Sequence, residues 1–69
     1  MSKYKPLWDY LNENNKDAYI MSYDEIKNIL GFPIDHSFLT YKKELEEYGY
    51  EVFKISLKEK NVIFKKLKL

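Results

Sequence analysis

The run Ser22-Tyr23-Asp24-Glu25-Ile26-Lys27-Asn28-Ile29-Leu30-Gly31-Phe32-Pro33-Ile34-Asp35-His36-Ser37-Phe38 decides the fold. Its first four residues form a capping box, in which the Ser22 hydroxyl accepts the N–H of Glu25 while the Glu25 carboxylate reaches back to the N–H of Ser22. Ile26, Ile29 and Leu30 follow at helical core spacing. Gly31 stands where a left-handed residue ends a helix, and Pro33 bars continuation. Phe32-Pro33-Ile34 then reads as a tight apolar turn, after which Asp35 or Ser37 caps a further helix with Phe38, Tyr41, Leu45 and Tyr48 on one face and Gly49 as its stop. Two helices joined by so short a turn predict a helix-turn-helix.

Outward from that run, the flanks supply a helix on one side and strands on both. Pro6 suits the first turn of a helix, where its missing N–H costs nothing, and Leu7, Trp8, Tyr10 and Leu11 carry helical spacing to about Asn14. Asn12, Asn14, Asn15 and Asp17 cluster as breakers before the β-prone Ala18-Tyr19-Ile20-Met21. On the C-terminal side the period changes to two from Tyr50 to Leu57, with Phe53, Ile55 and Leu57 opposed by Lys54 and Ser56. Val62-Ile63-Phe64 repeats that composition, and Lys58-Glu59-Lys60-Asn61 joins the two strands, with Asn61 able to take positive φ. The expectation is a single α+β domain over residues 1–69, winged helix-turn-helix-like, in the order helix-strand-helix-helix-strand-strand, with three helices, a small antiparallel sheet and the hairpin as wing.

Composition agrees with a small folded domain. Of 69 residues, 45% are hydrophobic, 17% aromatic and 33% charged. A chain this short buries only about 60% of its unfolded surface, so packing by its four Phe, seven Tyr and Trp8 carries much of the stability. With no Cys and His36 alone, neither a disulfide framework nor a Cys/His zinc site can be built, and no metal is expected. Neither a signal-peptide run nor a stretch of apolar residues long enough to span a bilayer occurs, so the expectation is a cytoplasmic protein with no membrane association.

Several short patterns recur in a fixed order. Tyr4, Pro6, Leu7, Tyr10 and Leu11 match Tyr-x-Pro-Leu-x-x-Tyr-Leu, while Glu25, Ile26, Ile29, Leu30 and Gly31 match Glu-Ile-x-x-Ile-Leu-Gly. Pro33 and Ser37 follow as Pro-x-x-x-Ser, then Gly49, Tyr50 and Val52 as Gly-aromatic-x-Val, and Val62 with Phe64 as Val-x-Phe. In this the chain resembles an uncharacterised family of small bacterial domains, over nearly its whole length. The resemblance implies a shared winged-helix-like fold and no established activity. Longer members of that family carry a Trp-Trp and Asn segment where this chain has Tyr41-Lys42-Lys43-Glu44, so a contact made by that segment would be lost or altered here.

Catalysis finds little to work with. His36 has no Cys, second His or neighbouring nucleophile as partner, and reads as a helix-terminus or surface residue. Glu44, Glu46 and Glu47 with Asp35 read as a solvated helix face, not a paired-carboxylate site. Both glycines are helix stops, which leaves no Gly-rich phosphate loop. The expectation is therefore no enzyme and no cofactor. The aromatic residues Phe38, Tyr41, Tyr48, Phe53 and Phe64 fall on expected core faces, which argues against a base-stacking platform, while Trp8 and Tyr23 stay open.

Charge is where a partner is written. The chain is +1 overall, yet residues 1–35 hold four Lys against six Asp and Glu, and residues 54–69 hold six Lys against Glu59 alone. Lys58 and Lys60 at the wing, extended by Lys65, Lys66 and Lys68, are candidate phosphate contacts for double-stranded DNA. The third helix offers His36, Thr40 and Lys43 as the candidate base or partner contacts, among Leu39, Glu46 and Glu47. All twelve basic residues are Lys, so the bidentate Arg fork that reads guanine is missing. DNA contact would be salt-sensitive and dominated by the wing. The other function class is a protein-interaction or homodimerisation module, using an exposed Leu39 and the amphipathic Tyr19, Tyr23 and Tyr50. Lys on a hairpin also serves simply to protect an edge strand.

Overall fold

A computed structural model of the chain describes residues 2–67. Its elements are α1 (Lys5–Asn14), β1 (Ala18–Ser22), α2 (Tyr23–Leu30), α3 (His36–Tyr41), a 3₁₀ segment (Lys42–Tyr48), β2 (Tyr50–Ser56) and β3 (Asn61–Lys66). The strands make one antiparallel sheet in the order β1-β3-β2, so the first strand joins the hairpin as its third member. This is the mixed α+β architecture and element order that the sequence predicts.

Local chemistry sets the helix ends. The Ser22 hydroxyl accepts the Glu25 N–H at 3.1 Å and the Glu25 carboxylate accepts the Ser22 N–H at 3.4 Å, closing the capping box of α2. Gly31 ends α2 at φ +86°, a left-handed conformation that costs a side-chain-bearing residue about 1–2 kcal/mol. Asp35 caps α3, accepting from the Ser37 N–H at 2.8 Å.

The core is aromatic and lies between the three helices and one face of the sheet. Tyr4, Leu7, Trp8 and Leu11 of the N-terminal region pack with Ile26, Phe38 and Leu45, closed below by Tyr19, Met21, Tyr50, Val62 and Phe64 from the strands. Tyr4 meets Phe38 edge-on with ring centroids 5.4 Å apart, and Trp8 lies 5.9 Å from the same ring. The polar ends of these rings are satisfied: Trp8 Nε1 donates to Glu44 at 3.2 Å, Tyr19 Oη to the Leu11 carbonyl at 2.7 Å and Tyr50 Oη to the Lys16 carbonyl at 2.6 Å. Trp8 is thereby a core residue. Tyr19 and Tyr50 are too deeply buried to serve the contact surface expected of them.

Three expectations are corrected. The helix after Asp35 does not run as an α-helix to Gly49; it tightens at Lys42, and the three-residue period then lines up Lys42, Leu45 and Tyr48 on the inward side. Tyr41, the last residue of α3, is 40% exposed, its ring 6.2 Å from that of Tyr4 at the rim of the core and not within it. In β2 the register slips between Val52 and Lys54, which oppose Phe64 and Ile63. Phe53 is the extra residue of a bulge, so the inward set is Tyr50, Val52 and Ile55, while Phe53 and Leu57 are 54% and 81% exposed. Finally, the hairpin turn spans residues 57–60 and its positive φ falls on Lys60 at +53°, with Asn61 already the first residue of β3.

Candidate nucleic-acid interface

The helix-turn-helix and the hairpin meet at a groove of about 380 Å³. Pro33 and Ile34 of the turn, His36, Phe38 and Leu39 of α3, and Ile55 and Leu57 at the root of the hairpin line it, with Tyr23 between. The hairpin is held to α2 at its root, since the Tyr23 N–H donates to the Lys60 carbonyl at 2.9 Å and Tyr23 Oη to the Ser56 carbonyl at 3.2 Å. α3 and the root of the hairpin therefore line one groove. Apart from Asp35 and His36 the groove is walled by apolar and aromatic side chains, and Leu39 on its rim is 53% exposed.

The α3 side of this face is fixed by Asp35. Its carboxylate accepts from the Ser37 hydroxyl at 2.6 Å, the Ser37 N–H at 2.8 Å, Lys3 Nζ at 3.1 Å and Tyr4 Oη at 3.1 Å, which ties the start of α3 to the N-terminal region. The Ser37 hydroxyl first, then Lys3, hold the Asp35 carboxyl well below the usual carboxylate range. Glu44 is likewise lowered, by the hydrogen bonds it accepts from the Ser2 hydroxyl and Trp8 Nε1. Both carboxylates are thus engaged structurally. Among the described residues no group of three or more His, Cys, Asp or Glu is placed to hold a metal ion, and no helix is long and apolar enough to cross a membrane.

The residues singled out from the sequence divide into three places. Lys58 and Lys60 are exposed on the hairpin turn, next to Leu57. His36 and Thr40 are exposed on α3, and His36 lines the groove. Lys43 is exposed on the 3₁₀ segment, where a three-residue period sets Glu46 directly above it. Lys65 and Lys66 sit at the far end of β3, a strand of six residues that separates them from the hairpin tip by about 20 Å. Lys65 Nζ lies 3.7 Å from the Phe53 ring centroid, and Lys66 Nζ donates to Asn15 Oδ1 at 2.6 Å. The Lys-rich tail is therefore two clusters and not one stripe; Lys68 lies outside the described residues.

Sequence reasoning missed the groove itself. Its walls come from Tyr23, Pro33, Ile34 and Ile55, residues 10 or more positions apart in places, and Leu57 joins them only because the bulge at Phe53 re-aims the end of β2. The exposed pair Leu39 and Leu57 had half a signal, since Leu39 falls on the outer face of its helix. Comparison of the chain with known protein families, with curated proteins and with solved structures finds no match.

Proposed function

We propose that this chain is a non-enzymatic, winged-helix-like domain that binds double-stranded DNA through the face shared by α3 and the hairpin, by salt-sensitive contact to phosphates led by the wing. The observation that supports the reading is the common groove, lined by His36 and Leu39 of α3 and by Leu57, the hairpin residue next to Lys58. Backbone contact suits the residues present. α3 is six residues long, about 9 Å, and offers His36 and Thr40 beside Leu39, too little for reading base edges at several positions. Lys65 and Lys66 extend the contact only to a second, separate stretch of phosphates. Cytoplasmic placement and kinship with the uncharacterised bacterial family whose motif order the chain carries belong to the same proposal; the kinship adds a shared fold and no activity.

Anisotropy of a labelled duplex, titrated with protein over a salt series, tests it. With two to three phosphates neutralised, log K should fall with log salt at a slope of about −2 to −3. Lys58→Glu with Lys60→Glu should abolish binding, and unchanged affinity in that variant would refute the wing assignment.

A second reading has its own observation. The groove floor is apolar and Leu39 and Leu57 stand exposed on its two rims, the composition of a protein-contact surface more than of a phosphate-facing one. Leu39→Asp and Leu57→Asp separate the two. Duplex affinity that survives both substitutions belongs to the wing, whereas a protein contact through the groove would be lost.

A further inference from the structure

The sheet has two edges, and they are treated differently. β2 is guarded by the bulge at Phe53 and by Glu51 and Lys54, devices that discourage edge pairing. β1 has none of these: Ala18-Tyr19-Ile20-Met21-Ser22 carries no charge and pairs with β3 in unbroken register. Ile20, at its centre, is 69% exposed.

Main-chain direction shows what that edge offers. The Lys66 N–H donates to the Asp17 carbonyl at 2.8 Å and the Tyr23 N–H to the Lys60 carbonyl at 2.9 Å. Residues 17, 19, 21 and 23 therefore turn their peptide groups toward β3, and by alternation those of Ala18 and Ile20 point to the free edge. We infer that this edge pairs with the same edge of a second copy of the chain, antiparallel about a two-fold axis at Ile20, to make a continuous six-stranded sheet.

Two features select that occupant. A two-fold axis at Ile20 sets its N–H and C=O against those of the other Ile20, the self-complementary arrangement that a two-fold dimer requires. On the open face of the sheet, Ile20 already neighbours Ile63 in register, so pairing aligns four Ile side chains in a row across the junction. An axis at Tyr19 would instead oppose peptide groups that already face β3. The inference goes beyond the DNA reading and stands without it, because β1 lies outside the α3–hairpin groove.

Sedimentation equilibrium over a range of concentrations tests it, with far-UV circular dichroism confirming that each variant is folded. The expected result is a mass rising from 8.4 kDa to twice that value, with Ile20→Lys remaining monomeric. A protein still monomeric at about 1 mM overturns the inference. So does a dimer that tolerates Ile20→Lys, or one broken by Leu39→Asp instead.

Discussion

Asp35 shows how much one side chain can organise. It caps α3, fixes Ser37 and receives Lys3 and Tyr4, and as an ionised acceptor it does all four at once. Because its folded-state pKa lies below the ordinary value of 3.8, the stability it contributes is fully present above that pH and is lost as pH falls below it. Glu44 adds to the same acid limb from its ordinary value of 4.5. Urea unfolding between about pH 2 and 6 should therefore show falling stability on the acid side, and Asp35→Asn, which keeps a capping oxygen, should flatten that limb. Phe53 and Phe64 provide a contrast at the same scale. Phe64→Ala opens the core and should cost about 3–5 kcal/mol, while Phe53→Ala removes an exposed ring under Lys65 and should cost about 1 kcal/mol or less. Equal losses by thermal or urea unfolding would contradict the bulge. Phe53 was misplaced by the alternation of the sequence because a bulge leaves no mark of its own there: the inserted residue is as apolar as its neighbours, and only the pairing with Ile63 and Phe64 reveals the slip.

Elements bounded by local chemistry were the legible ones. α2 is written in its own residues from the Ser22 hydroxyl to Gly31, and β1 in a short β-branched and aromatic run between breakers. Ser22→Ala should accordingly destabilise the fold by about 1 kcal/mol, measured by urea unfolding, and Ser22→Asp should recover most of it. The segment after Tyr41 was not legible in this way. Nothing in Lys42-Lys43-Glu44-Leu45 forbids an α-helix, and the switch to 3₁₀ geometry depends on tertiary partners: Leu45 is driven into the core and Glu44 is held by Trp8 and Ser2, contacts made with residues more than thirty positions away. The consequence for the candidate site is direct. Tightening there shortens α3 to six residues and sets Glu46 over Lys43, so the proposed contact leans on the hairpin turn more than on α3.

For the whole molecule, element order and a small antiparallel sheet followed from the hydrophobic period and the turn residues, but the groove did not. A groove needs α2, α3 and β2 at once, and its apolar lining emerges from residues that each have an ordinary local reading. The same is true of charge. Along the chain the C-terminal Lys residues read as one stripe, whereas β3 carries Lys58 and Lys60 to one end of the sheet and Lys65 and Lys66 to the other. On the proposed DNA-binding reading, a duplex should be felt at the hairpin turn and the exposed side of α3. An amide chemical-shift titration of labelled protein with a short duplex, at low salt and again near physiological salt, tests that claim most directly. Shifts centred on residues 57–60 and 36–40, shrinking as salt is raised, are the predicted result. No shifts at low salt, or shifts that ignore the hairpin, would contradict it.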